Sequence, residues 1–215
     1  MRLSAKMISM QDSVNRTPIN KALPPAPRAG VLGALDRFIG PGATSAEVMV
    51  QLVPSVLAAI AAPAYALSLP IDWTPWQIGL IALFGFDLVG GVLTNATNTA
   101  KRWYHRPGQG WQQHLSFVVI HLFHIGAIAL FFRGGDGLFF GGVSAYLLTA
   151  AGLILSVPLY LQRPVALGLY GLSIVGSLYL LSPTPGLEWF LPLFFLKLLV
   201  SHLLHETAYR KCDRR

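Results

Sequence analysis

The sequence predicts an all-α polytopic membrane protein, with about six transmembrane helices in one bundle and both termini cytoplasmic. Three observations carry that expectation. Only 12% of the 215 residues are charged and 53% are hydrophobic, whereas a soluble domain carries about 25% charge. Apolar runs recur at lengths close to the ~20 residues a helix needs to cross a bilayer. The runs are continuously apolar, without the alternation of barrel strands, so helices are expected to satisfy their backbone groups in lipid.

Residues 1–46 are polar and basic and include the segment PPAPRAG. They contain no apolar h-region, so a secretory signal is not expected. The reading is a disordered or interfacial arm, with an organelle presequence as the alternative because acidic residues are scarce. Residues 47–206 form the transmembrane domain and 207–215 a basic tail. Thr44 and Ser45 ahead of Glu47 suit a helix start. The first span covers 48–69, and Pro54 and Pro63 inside it predict a kink. Asp72, Trp73 and Trp76 form an interfacial turn with aromatic anchors. The second span covers 76–100 and runs on as helix toward His105 until Pro107 and Gly108 stop it. The third covers 114–132 and ends at Arg133 and the glycines after it. The fourth covers 140–161. A tight turn at Gln162, Arg163 and Pro164 leads to the fifth, 165–181. A Pro/Gly turn over 182–186 leads to the sixth, 187–205. No internal repeat is visible.

The net charge of +7 does not point to nucleic acid, because the basic residues sit at the ends of apolar runs, where they set topology. Lys101, Arg102 and Arg106 fall between spans two and three, Arg163 between four and five, and Arg210, Lys211, Arg214 and Arg215 after six. With six spans these segments share one side, the cytoplasmic one. The single cysteine, Cys212, excludes an intrachain disulfide and a cysteine metal site. It reads as a bystander in the tail, with palmitoylation as the alternative.

Polar residues inside the spans are not scattered. Asp87, Gly91, Asn95, Asn98, Arg102 and His105 follow one another at spacings of 4, 4, 3, 4 and 3, one face of a helix. His114, His121 and His124 share a face of span three with Phe117 and Ile128. Span six carries Lys197, Ser201 and His205 at spacing 4, with His202 and Glu206 beside them. Such stripes avoid lipid, so spans two, three and six are expected to turn them toward one another. Gly90 and Gly91 would let another helix approach Asp87. Spans four and five, almost free of ionisable residues, would be the lipid-facing scaffold. By helical rise, Asp87, His124 and Lys197 lie near mid-membrane. His105, His114, His202, His205 and Asn98 lie near the cytoplasmic end.

Asp87, Lys197 and Glu206 are the candidate acid–base groups. Asp87 and Lys197 suit an ion pair, because each alone costs ~2.5–3.5 kcal/mol in a membrane helix. The pairs His121/His124 and His202/His205, each HxxH, with His114 next, are candidate ligands for zinc or iron. Ile125 and Glu206 stand where the boxes of membrane desaturases and hydroxylases carry a further histidine. The HxxxH of membrane zinc hydrolases is absent too, so the chain is assigned to neither group. Asn95, Asn98, Lys101, Arg102, His105 and Arg106 are candidate contacts to an anionic or lipid headgroup.

The functional expectation is a metal-dependent membrane enzyme, hydrolase or oxidase, acting on a lipid-like substrate at the cytoplasmic half of spans two, three and six. One alternative is a small transporter or channel for protons, a metal ion or a solute. Another is a non-catalytic assembly subunit. The expected partners are the lipid bilayer and a lipid-like or anionic small molecule, with a homo-oligomer also compatible. The expected location is the cell membrane, which is the inner membrane in a bacterium, or an organelle membrane if 1–46 is a presequence.

Overall fold

The helices that start at Ser45, Pro75 and Gly137 begin where a side chain replaces a missing backbone partner. Thr44 Oγ1 accepts from the Glu47 amide at 3.2 Å, and the Glu47 carboxylate accepts from the Thr44 amide at 2.9 Å. Thr74 and Gln77 repeat this capping box. A computed structural model describes residues 23–206. Residues 1–22 of the expected arm, and the tail 207–215 with Cys212, lie outside the described residues. In chain order the helices are α1 Gly30–Ile39, α2 Ser45–Leu67, α3 Pro75–Ala96, α4 Asn98–Tyr104, α5 Trp111–Ile120, α6 Leu122–Phe131, α7 Gly137–Ser156, α8 Leu159–Tyr179 and α9 Phe190–Phe195. A π-helical segment, Leu196–His202, continues α9 directly. Among the described residues there is no strand.

Four helices are long and apolar enough to cross a membrane: α2, α3, the continuous pair α5–α6 (Trp111–Phe131) and α7. Several details differ from the sequence expectation. Part of the expected arm is ordered as α1. The second span does not run on unbroken, because Thr97 (φ −70°, ψ 147°) leaves the helix and caps α4, accepting from the Ala100 amide at 3.2 Å. The tight turn expected at Gln162–Pro164 lies inside α8. The chain breaks instead at Val157 and Pro158, where a residue before proline favours extended backbone. The last helical stretch, Phe190–His202, is shorter than the other spans.

Contacts at the helix ends define two sides of the bundle. On one, Glu206, just past the last helical stretch, meets Arg163 of α8 at 2.6 Å and Lys101 of α4 at 3.9 Å. On the other, Arg133 after α6 binds Asp136 at 2.8 Å, the Ser182 carbonyl at 2.8 Å and Thr184 Oγ1 at 2.8 Å. There too, Gln77 of α3 donates to the Phe131 carbonyl at 2.8 Å. Consecutive long helices therefore run in opposite directions.

α7 buries Phe139, Val143, Leu147, Ala150, Ala151 and Ile154 in the core with Ile125, Ile128, Phe194 and Leu198. It turns Leu138, Phe140 and Leu153 outward, so span four packs one face on the bundle and exposes the other. α2 is peripheral and exposes Met49, Val53, Leu57 and Ile60, as α8 exposes Leu167, Leu172, Val175 and Leu178. α2 lies along α3, where Gly85 and Gly90 leave room for Ala58 and Ser55.

Asp136 supports the far-side loop through both the Phe139 amide, at 2.9 Å, and Arg133. The amide bond first, and the guanidinium with it, hold its carboxyl below the usual range. A lowered carboxylate value means the contribution is complete above about pH 4 and is lost as pH falls through the native value. The difference in melting midpoint between wild type and Asp136→Ala is expected to be constant near neutral pH and to shrink on acidification. A difference that grows in acid contradicts this.

Candidate functional site

Two polar centres lie between α3, the α5–α6 span and the last helical stretch. At the inner one, Lys197 Nζ donates to Asp87 Oδ2 at 2.6 Å and His124 Nε2–H donates to the same oxygen at 3.0 Å. Lys197 is only 3% exposed. It reaches across α3 over Gly91, where a Cβ would lie 2.7 Å from Lys197 Cδ and 3.0 Å from Nζ. The glycine is there because the lysine must pass. His121 stacks on His124 with ring centroids 5.0 Å apart and donates Nδ1–H to the Phe117 carbonyl at 2.6 Å. His124 Nδ1 is buried and unpartnered.

The local backbone explains how these rings arrive. At His121 the helix tightens: its amide bonds the Val118 carbonyl and its own carbonyl accepts from the His124 amide, both at 3.0 Å and three residues apart. This 3₁₀-type turn separates α5 from α6 and offsets His121 and His124 from His114. The π segment does the same for the last helix. The Leu203 amide bonds the Leu198 carbonyl, five residues back, and Lys197 and His202, also five apart, are both buried.

The outer centre is made of histidines. His202 is 2% exposed. Its Nδ1 faces Asn95 Oδ1 at 3.1 Å and its Nε2 faces His114 Nδ1 at 3.3 Å. The Asn95 amide donates to the Gly91 carbonyl at 2.8 Å, which leaves its oxygen to accept. His202 is therefore protonated on Nδ1, and His114 donates to its Nε2. His105 Nε2 donates to the His202 carbonyl at 3.1 Å. Its ring lies 4.5 Å from that of His114 and 4.9 Å from that of His205. Burial, then the neighbouring imidazoles and Lys101, push His105 down to about 3, so it is a neutral ring near pH 7. Phe117 separates the two centres, stacked on His202 at 3.8 Å and set against His121 at 4.5 Å.

The fourteen residues singled out from sequence divide clearly. Asp87, Lys197, His124 and His121 meet at the inner centre. Asn95, His105, His114, His202 and His205 meet at the outer one. The four preferred metal candidates are thus split between centres. Among the described residues no group of three or more His, Cys, Asp or Glu side chains stands as a metal-ligand set. Lys101 is buried and donates to the Ser201 and Leu204 carbonyls at 2.7 and 2.6 Å, which caps the last helix. Glu206 sits beside it with Arg163. Asn98 is exposed, because the break at Thr97 rotates α4 relative to α3. Arg102 reaches Thr99 Oγ1 at 3.4 Å, and Arg106 lies over the Trp103 ring at 3.6 Å.

A second polar seam was not anticipated. Thr94 Oγ1 donates to Gln51 Oε1 at 2.8 Å, Ser55 donates to the Gln51 carbonyl, and Glu47 accepts from Thr99 Oγ1 at 2.7 Å. The spacing of Glu47, Gln51 and Ser55, four and four, was the available signal.

Gly91→Ala is expected to displace Lys197 from Asp87. Overpacking of this kind costs about 1–3 kcal/mol. A thermal-unfolding midpoint in detergent equal to that of wild type would show that the lysine has another path.

These features define a multi-helix membrane protein with a buried His/Asn polar network joined to an Asp–Lys–His centre. Comparison with protein-family models, with curated proteins and with solved structures gives no match, so its function is read from its own chemistry.

Proposed function

We propose that this chain is a proton-handling membrane protein, a small proton-coupled carrier whose Asp87–His124–Lys197 centre takes up and releases a proton. The observation that supports this reading is the line of imidazoles, His205, His105, His114 and His202 on one side of Phe117 and His121 and His124 on the other, leading to a membrane-embedded carboxylate. Of these rings His114 and His202 share a direct hydrogen bond, and water between donor and acceptor nitrogens would carry the proton across the remaining gaps and past Phe117. His124 holds Asp87 through Nε2, and its Nδ1 is left without a hydrogen-bond partner.

The topology we propose is six crossings with both termini cytoplasmic, in the cell membrane. The alternating end contacts and the basic cluster of Lys101, Arg102, Arg106 and Arg163 support it. In a Cys212→Ser background, Gln109→Cys is expected to react with an impermeant maleimide only from the cytoplasmic face, and Ser182→Cys only from the other. Labelling of both from one face contradicts the arrangement.

In liposomes loaded with a pH dye, wild type is expected to relax an imposed pH gradient and monodisperse Asp87→Asn to lose that flux. Equal flux in both overturns the reading. The second reading is a zinc- or iron-dependent enzyme acting on a lipid-like substrate, which would need the outer imidazoles of His105, His114, His202 and His205 to regroup around the ion, since as placed they form no metal-ligand set. Stoichiometric metal in purified wild type, lost in His114→Ala/His202→Ala, favours that enzyme over the carrier.

A further inference from the structure

We infer that α1 is an in-plane membrane-surface helix whose outer face inserts into the anionic lipid leaflet at the cytoplasmic end of the bundle. Ten residues, at about 1.5 Å each, reach roughly 15 Å, half of a ~30 Å hydrocarbon core, so α1 does not cross. It has two distinct faces. Gly33, Asp36 and Ile39 are buried. On the opposite side Val31, Leu35 and Phe38 follow at helical spacing and are 87%, 45% and 56% exposed, with Leu32 beside them at 53%. A helix that shows apolar side chains outward, next to the ends of two membrane spans, is built for the boundary between headgroups and acyl chains.

The seat of α1 is specified by polar contacts. Trp103 Nε1 donates to the Arg37 carbonyl at 3.0 Å and Tyr104 OH to the Phe38 carbonyl at 2.8 Å. The last carbonyls of α1 are thus capped from α4. Gly40, at φ +89°, ends the helix so close to α4 that a Cβ there would lie 2.6 Å from the Thr99 carbonyl oxygen. Arg28 Nη2 pairs with Asp36 at 2.7 Å and fixes the start. A ten-residue helix held at both ends this way keeps its apolar face where it is.

Charge selects the lipid. Around this helix stand Arg28, Arg37, Arg102 and Arg106 against Asp36 and Glu47, a positive balance beside the ends of the spans. Each basic residue near an anionic surface is worth about fivefold in partitioning at moderate salt. The occupant of the face is therefore a phosphate-bearing, net-anionic leaflet.

The test uses the full chain with Cys212→Ser and an environment-sensitive fluorophore on Leu35→Cys, reconstituted in phosphatidylcholine with and without phosphatidylglycerol. Blue-shifted emission that brominated acyl chains quench, stronger with phosphatidylglycerol and weakened by salt, is expected. Phe38→Glu should return the emission toward that of water while the protein stays monodisperse. Arg37→Gln should reduce the phosphatidylglycerol preference. Water-like emission in both lipids overturns the inference. So does protection that rises with the protein-to-lipid ratio, which would mean that a second copy covers the face. Equal insertion with and without phosphatidylglycerol overturns the assignment to an anionic leaflet.

Discussion

Asp87→Leu is expected to be the most destabilising single substitution in the protein, because it strands Lys197. That ammonium is 3% exposed while its partner's side chain is 27% exposed, so the lysine has less access to water once the carboxylate is gone. Removing one member of a buried ion pair typically costs about 3–5 kcal/mol. The reverse change, Lys197→Met, should cost less, since the more accessible Asp87 keeps His124 at 3.0 Å. The double variant Asp87→Leu/Lys197→Met should recover most of the loss, because two apolar side chains replace a mutually dependent pair. Reversible unfolding in detergent measures all three. Additive effects in the double variant would mean that the two residues do not depend on each other.

The second large effect is expected at His202. Its ring is nearly inaccessible and stacked on Phe117 at 3.8 Å, and it holds both Asn95 and His114. His202→Ala removes a ring from a packed site and leaves the Asn95 oxygen and the His114 Nδ1–H without this partner. A buried polar group left unpaired costs about 1–3 kcal/mol, and the cavity adds to that. A total near 3–5 kcal/mol follows, with the His114 ring freed to reorient. His202→Gln, which can still donate to Asn95, should lose clearly less. Equal losses for the two variants would mean that packing alone accounts for the site.

Much of this architecture is legible in the sequence. The span limits near Ser45 and Phe131 follow from hydropathy and caps, whereas the end at Ala96 does not, since hydropathy carries the second span to residue 100 and on toward His105. The meeting of Asp87 with Lys197 follows from the cost of leaving either charge alone in an apolar segment. The depth matching of His124 with Asp87, and of His114 with His202, follows from constant helical rise. What escaped the sequence was every departure from ideal helix. Thr97 has its own hydroxyl competing for the backbone, and this turned Asn98 outward and put Lys101 inside. The π segment replaced a four-residue spacing with a five-residue one, so His202 rather than His205 joined Asn95. The 3₁₀ turn at His121 gave the third span two polar positions in place of one stripe. Each costs little energy locally and is set by the partner helix, which a single sequence does not display. α1 escaped as well, because its caps come from Trp103 and Tyr104, more than sixty residues away.

The proposed proton route requires the outer imidazoles and the inner carboxylate to act in series. The direct measurement is proton flux in liposomes for wild type, Asp87→Asn, His202→Gln and the double variant, each monodisperse. A series route predicts that either single change removes most of the flux and that the double variant is no slower than the slower single. Full flux in His202→Gln, or losses that multiply in the double variant, would contradict a single path through both centres.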